Sequence, residues 1–168
     1  RLHAGAVKAH VLPSMPSPLR LGALVALVAL AACRDNAEGD AAAQLLDEVQ
    51  QMQYRSWTRA PGYATRMPST SPHGDEVDIF VNETVASALG ASTALTSWPV
   101  GSIIVKDGYA SSGELEVIAL LSKEEEGWFW AEYDATGAPL YSGAPAVCTG
   151  CHGSGDDFVR AFSLPGGP

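Results

Sequence analysis

The chain has few cysteines, little positive charge and no long apolar run. It has 168 residues, and only three of them are cysteines, Cys33, Cys148 and Cys151. Each cysteine lies in a recognisable local pattern, which excludes a disulfide framework. The length fits one domain at most, and an apolar content of 46% is too high for an intrinsically disordered protein.

Positive charge is scarce throughout the main part of the chain. Three of the ten Lys and Arg residues, Arg1, Lys8 and Arg20, precede Cys33, whereas all nineteen Asp and Glu residues follow it. An acidic surface of this kind repels phosphate backbones, and nucleic-acid binding needs clustered cations. We therefore exclude nucleic acid as a partner and expect any protein partner to present a basic surface.

The longest apolar run, Leu21 to Ala32, is too short to span a membrane. Its twelve residues would form a helix of about 18 Å, whereas the hydrocarbon layer is roughly 30 Å thick. Preceded by Arg20 and closed by the small residues Ala31 and Ala32, the run is typical of a secretory signal that starts at Met15. We assign residues 1–32 to upstream sequence and this signal.

The signal ends in Leu30-Ala31-Ala32-Cys33, which resembles a bacterial lipobox. In a lipobox the cysteine carries the lipid, so Cys33 is the predicted anchor and residues 33–40 form a polar tether. The alternative is an ordinary signal peptide with an incidental cysteine. The lipoprotein hypothesis places the protein on the periplasmic side of a bacterial membrane, the outer membrane, attached by acyl chains alone.

Residues 41–168 are predicted to form a single domain of the α+β class, with a mainly antiparallel sheet. Leu45, Leu46, Val49 and Met52 give an apolar stripe to an N-terminal amphipathic helix capped by Asp40, and a short helix is expected around the C-terminal cysteine pair. Trp128 and Trp130 should share one face of the sheet. The predicted strands are 77–82, 102–106, 114–121 and 127–133, with a helix at 83–89 and a loop at 59–75.

The most informative motif is Cys148-Thr149-Gly150-Cys151-His152. C-x-x-C-H is the attachment pattern of c-type haem. In that pattern the two thiols form thioethers with the porphyrin, and the histidine is the proximal ligand of the iron. Export supports this interpretation, because c-type haem is attached outside the cytoplasm. We therefore predict one covalent haem c, held by Cys148 and Cys151 with His152 on the iron.

Other uses of two close cysteines remain as alternatives. A structural zinc site needs four ligands, and the mature chain offers few besides this motif and His73. A thioredoxin-like dithiol would stand early in a βαβ unit, not close to the C-terminus of a β-rich chain. A simple disulfide between the two thiols is the third alternative.

The position of the motif separates classes of cytochrome. Small class I cytochromes carry the motif near the start of the chain and a methionine ligand later, but only sixteen residues follow His152 and none is Met. Cytochromes c-prime carry it near the C-terminus but consist of amphipathic helices. A β-rich chain with a C-terminal haem site fits neither class.

Several further motifs occur in an order that resembles the cytochrome P-460 and cytochrome c-prime-beta family. The resemblance covers residues 54–165 and implies a mainly antiparallel β fold, a homodimer and one c-type haem that is often five-coordinate. It rests on Trp57, on Pro72-His73-Gly74, on the strand that begins at Val77, on Trp98-Pro99 with the strand to Lys106, on Gly127-Trp128-Phe129-Trp130, and on the C-x-x-C-H motif with Asp157 and Phe162.

The sixth position of the iron is open to several candidate residues. His73 is a possible axial or distal group, although a loop histidine of this kind often has only a structural role. Met52 is interpreted as core and Met67 lies in a loop bounded by proline. Phe80 is a candidate apolar cap on the distal face, which would favour small uncharged ligands.

Lys106 is the candidate for a covalent role. In hydroxylamine-oxidising members of the family, a lysine that ends a Gly-x-x-x-Val-Lys strand is crosslinked to the porphyrin, and Gly101 to Lys106 resembles that segment. The alternative is a solvent-exposed lysine at a strand end. The same resemblance places a proton-relay carboxylate where this chain has Ala119, with Glu114 and Glu116 a few residues earlier. We therefore expect the general base for hydroxylamine oxidation to be missing.

The sequence thus predicts an exported monohaem cytochrome that binds NO, CO or another small nitrogen oxide and exchanges electrons with a redox partner protein. A hydroxylamine-oxidising enzyme with a lysine-crosslinked haem is the first alternative. A simple electron-transfer cytochrome is the second.

Overall fold

A seven-stranded antiparallel sheet forms the centre of residues 37–166, the part of the chain that the computed structural model describes. The predicted signal and anchor, including Cys33, lie outside the described residues. Helix α1 spans residues 37–51, and a single 3-10 turn follows at Tyr54–Ser56. The remaining elements are β1 Thr58–Arg59, β2 Met67–Pro68, β3 Glu76–Val81, α2 Glu83–Leu89, β4 Ile103–Tyr109, β5 Leu115–Glu124, β6 Gly127–Asp134, β7 Pro139–Gly143 and α3 Ala146–His152.

From β3 to β7 the sheet is a meander in which each strand pairs with the next strand in sequence. The order is β1-β3-β4-β5-β6-β7, and β2 pairs with β3 beyond β1, at the other end of the same edge. Antiparallel neighbours of this kind need only local connections. The predicted α+β class with a mainly antiparallel sheet and a short C-terminal helix is confirmed.

One face of the sheet is covered by α1. Ala42, Leu46 and Val49 of α1 are buried against the side chains on this face of the sheet. The hydroxyl of Tyr133, on β6, donates to the carbonyl of Ala42 at 2.5 Å and ties the helix to the sheet. The sheet side chains on this face include Phe80, Val105, Ile118, Leu120 and Ala131.

The opposite face carries a second core and the candidate site. Trp128 and Trp130 both belong to this core, whereas Phe129 packs on the α1 side, so the predicted shared face of the two tryptophans is confirmed. Trp98 packs edge to face on Phe162 at a centroid distance of 5.4 Å. This contact attaches the chain after α3 to the loop before β4.

Two predictions about α1 were wrong. The helix already includes residues 37–40, so Asp40 does not cap it. Met52 is 44% exposed and is not core, because the helix ends at Gln51 and the chain reverses at Gln53, whose φ of 52° is left-handed. The apolar stripe therefore stops at Val49.

Strand boundaries also differ from the predicted ones. β4 continues three residues beyond Lys106, and β5 continues to Glu124. The short strands β1 and β2 lie within or beside the predicted loop, and β7 was missed because Pro139-Leu140-Tyr141 does not alternate in polarity. None of the helices within residues 37–166 is long and apolar enough to cross a membrane.

Candidate functional site

A cavity of about 700 Å³ lies between the second face of the sheet and α3. Its floor consists of side chains from β3 to β6, such as Ile79, Ile104 and Trp130, and α3 provides Cys148, Cys151 and His152. Pockets of roughly 300–1,000 Å³ hold ligands of drug or cofactor size. The three residues of the C-x-x-C-H motif thus line one cavity that is open to solvent on one side.

Helix α3 presents the two thiols side by side. It begins after Pro145, whose fixed φ of −63° suits a helix entry, and its first turn closes on the Pro145 carbonyl. Residues three apart share a helix face, so Cys148 and Cys151 point to the same wall. Neither thiol is part of a disulfide, and burial raises the pKa of Cys148.

His152 is held in a defined orientation. Its Nδ1 lies 2.9 Å from the carbonyl oxygen of Phe158. A carbonyl oxygen only accepts, so Nδ1 carries the proton and Nε2 keeps a free lone pair. The edge of Trp130 packs against the ring at a centroid distance of 4.7 Å. Burial lowers the pKa of His152, and the hydrogen bond to Phe158 opposes that shift.

These residues fit a covalently attached haem. The cavity has the size for a macrocycle, two free thiols stand at its wall, and an uncharged imidazole with an unprotonated Nε2 lines it. A metal-binding histidine characteristically donates its other nitrogen to a carbonyl or carboxylate, as His152 does here. The fit rests on the chemistry of this donor set.

The alternatives receive less support from the same geometry. Among residues 37–166, no group of three or more His, Cys, Asp or Glu side chains is placed to hold a metal ion, so a zinc site lacks its ligand set there. The two cysteines are not joined in a disulfide. The lack of such a three-residue group does not count against haem, because a haem iron needs only one ligand from this motif.

Lys106 lies inside the cavity. It occupies the middle of β4 and pairs with Ile79 on β3 and Ala119 on β5. The alternative of an exposed lysine at a strand end is therefore wrong, because β4 continues past it. Burial lowers the pKa of Lys106, while the charge of Glu132 opposes that shift.

Glu132 is the site residue that the sequence reasoning missed. It lines the cavity from β6, directly opposite Ala119 in the β5–β6 register. The expectation that the pocket lacks an acid is wrong, because the small Ala119 leaves room for the carboxylate of its cross-strand neighbour. Burial raises the pKa of Glu132 and the charge of Lys106 opposes that rise. Alternate residues of a strand point to the same face, so the shared face predicted for Trp128 and Trp130 was the signal that leads to Glu132.

His73 also lines the cavity, close to both His152 and Glu132. Its ring centroid lies 6.3 Å from that of His152, and its Nδ1 lies 3.7 Å from Glu132 Oε2. That distance is too long for a hydrogen bond, and His73 Nδ1 is buried without a protein partner. Burial, then the charges of Lys106 and His152, lower the pKa of His73 to about 4, so the ring is neutral at neutral pH and forms no ion pair with Glu132.

Two glycines place the His73 loop against β4. A Cβ on Gly108 would overlap the His73 carbonyl, and a Cβ on Gly74 would overlap the backbone of Tyr109. Gly74 has a φ of 107°, a region that side chains other than glycine rarely adopt. The loop therefore approaches the strand two residues from Lys106, which brings His73 into the cavity.

Other predicted distal candidates lie elsewhere. Phe80 is buried on the opposite face of the sheet, where it packs edge to face on Tyr54. Met52 and Met67 are largely exposed and do not line the cavity. Glu114 and Glu116 are exposed as well. The side chains that the fold brings together are Lys106, Glu132, His73, Cys148, Cys151 and His152.

Arg160 was not predicted as a site residue. Arg160 lines the cavity and its guanidinium donates to the sulfur of Cys151 at 3.0 Å.

Comparison of the chain with models of known protein families, with curated protein sequences and with solved structures found no match. A functional assignment must therefore rest on the cavity and its side chains.

Proposed function

We propose that the protein is an exported, lipid-anchored monohaem cytochrome of the P-460 or c-prime-beta kind that binds small nitrogen oxides or carbon monoxide. The observation that carries the proposal is the joint position of Cys148, Cys151 and His152 on one cavity wall, with Nδ1 of His152 donating to a carbonyl. When bound, the haem supplies an iron that takes a small ligand and changes oxidation state. The lipid anchor at Cys33 and the homodimer expected from the resemblance belong to the same proposal.

The chain's own residues give the cavity its selectivity. Ile79, Ile104 and Leu121 make much of the floor apolar, which favours small uncharged ligands. Lys106, Glu132 and His73 provide a polar corner within this floor. His73 is neutral at neutral pH, so it can donate or accept a hydrogen bond without bringing a charge.

Covalent attachment is the first test. The mature chain, produced with haem-attachment machinery, should gain the mass of one haem that persists through denaturation. Cys148→Ala and Cys151→Ala together should abolish this gain, because each thioether needs one thiol. Thr149→Ala, within the same helix, is the matched control and should keep it. An intact mass without haem would reject the proposal.

The ligand-binding function is tested by optical spectra of the reduced protein with and without CO. A high-spin spectrum that shifts on addition of CO is expected, because the resemblance implies a haem that is often five-coordinate. A six-coordinate, low-spin spectrum that CO does not change would instead assign the electron-transfer alternative. His73, the one other histidine within residues 37–166, has its ring centroid 6.3 Å from that of His152 and would then be the first candidate for the sixth ligand.

Hydroxylamine oxidation is the second candidate function, and Glu132 is the observation that favours it. A carboxylate with a raised pKa beside Lys106 provides the general base that hydroxylamine deprotonation needs. Burial also increases the neutral, nucleophilic fraction of Lys106, which suits a lysine proposed to bond to the porphyrin.

Two variants test this second function. Glu132→Gln should lower hydroxylamine oxidation by about 10²–10⁴-fold with haem attachment unchanged, because the amide cannot take a proton. Glu116→Gln, on exposed β5 surface, is the matched control. Peptide mapping of the denatured protein should find the peptide of Lys106 joined through the macrocycle to that of Cys148. Equal rates in the Glu132 and Glu116 variants would reject the base, and a free Lys106 peptide would reject the crosslink.

A further inference from the structure

The carbonyl that holds His152 belongs to a strained turn. Asp157 and Phe158 have φ values of 47° and 66°, and neither is glycine. Two consecutive left-handed residues persist only where the surroundings hold them in place. The Phe158 carbonyl can therefore hold His152 only if contacts with other parts of the chain fix this turn.

The side chain of Asp157 supplies that fixation. Its carboxylate accepts the backbone N–H of Trp98 at 2.8 Å and two contacts from Lys123 Nζ at 2.9 and 3.0 Å. The pair is well shielded, since the side chains of Lys123 and Asp157 are 14% and 15% exposed. Charge-assisted hydrogen bonds of this kind are roughly twice as strong as neutral ones.

The backbone of the turn is held as well. The indole N–H of Trp128 donates to the Asp157 carbonyl at 2.8 Å, and the indole N–H of Trp98 donates to the Asp156 carbonyl at 3.3 Å. Both tryptophans are buried. Lys123 Nζ also lies 5.1 Å from the centre of the Trp128 ring. The turn is thus attached to the end of β5, to the start of β6 and to the loop before β4.

We propose that the Lys123–Asp157 ion pair is a positioning device that sets the strength of the bond between His152 and the haem iron. The inference rests on the proposed function. Neither residue lines the cavity, and both act through the Phe158 carbonyl. A firm Nδ1–H···O bond makes the imidazole a stronger donor to iron and favours the ferric state. Loosening the turn weakens that donation and favours the ferrous state.

Asp157→Asn is the direct test in the haem-loaded mature protein. The amide keeps an oxygen for the Trp98 N–H but loses the charge that holds Lys123. The iron–histidine stretching frequency, read by resonance Raman on the ferrous protein, should fall. The ferrous-to-ferric ratio at a fixed potential should rise about tenfold, which corresponds to about 59 mV for one electron.

Lys123→Gln reaches the same contact from the other side and should shift both readouts in the same direction, so the test stands even where the Asp157 variant fails to accumulate. Lys123→Arg keeps the positive charge and should leave both readouts at their wild-type values. Asp78→Asn is the matched control, since Asp78 is a buried carboxylate whose ion pairs, with Arg59 and Arg66, do not involve the Asp157 turn.

The outcomes separate the two proposals. A mature chain without haem would reject the proposed function. A haem-loaded chain in which Asp157→Asn and Lys123→Gln leave the stretching frequency and the potential at wild-type values would reject the positioning role alone. Shifts of the same size in Asp78→Asn would also reject it, because they would reflect a general loss of stability.

Discussion

At the scale of single residues, the candidate site depends on where small side chains stand. Ala119 leaves space for Glu132, and Gly108 lets the His73 backbone lie against β4. The acid expected at position 119 on β5 is instead Glu132, its cross-strand neighbour on β6, which lines the same cavity. Sequence alone does not reveal this exchange, because register is a property of two strands together.

Gly108 provides a prediction at this scale. Gly108→Ala places a Cβ where the His73 carbonyl lies, so the loop must move away from the strand. We expect a loss of about 1–3 kcal/mol in the free energy of unfolding, as for other overpacked sites. Chemical denaturation of the protein measures it.

The control for this change is Gly39→Ala, which adds the same methyl group on α1 with no heavy atom within 4 Å. There we expect a gain of up to about 1 kcal/mol, because alanine favours helix over glycine. Equal stabilities for the two variants would contradict the close approach of His73 to Gly108.

At the scale of elements, the strongly patterned segments were predictable and the weakly patterned ones were not. Helix α2 begins and ends where the sequence placed it, and α3 carries the C-x-x-C-H motif as expected. Alternation also located β3, β5 and β6 to within a few residues. These segments bury one regular face, so their pattern and their contacts agree.

The elements that were missed owe their structure to neighbours. β1 and β2 are two residues long and exist through their pairing with β3, and β7 is an edge strand with an irregular pattern. The predicted third strand ends at residue 121, whereas β5 continues through Lys123, whose partner Asp157 lies 34 residues away in sequence. Long-range ion pairs of this kind leave no local signal.

At the scale of the whole molecule, two buried tyrosines predict how stability changes with pH. Burial raises the pKa of Tyr54 and Tyr133, and for Tyr54 the hydrogen bond to Asp107 adds to the rise. The unfolded chain releases these protons near pH 10, whereas the folded chain retains them. Their contribution is therefore complete below about pH 10 and is lost as the pH rises above it, by up to about 1.4 kcal/mol per pH unit for each group.

Denaturation at a series of alkaline pH values measures this loss. Tyr133→Phe should flatten the decline above pH 10, since phenylalanine has no proton to release, even though the variant loses the hydrogen bond to Ala42 at neutral pH. Tyr141→Phe, at a position that is 45% exposed, is the control and should follow the wild-type profile. A Tyr133→Phe profile parallel to that of the wild type would exclude this residue as a source of the decline.

The meander order of β3 to β7 has a consequence for how the protein matures. Each of these strands pairs with the one made just before it, so the sheet can assemble as the chain emerges and before residues 146–166 are available. Helix α3 and the Asp157 turn follow the sheet in sequence and close over it. Under the proposed function, haem would attach beside strands that are already paired, and its capture would accompany the docking of α3.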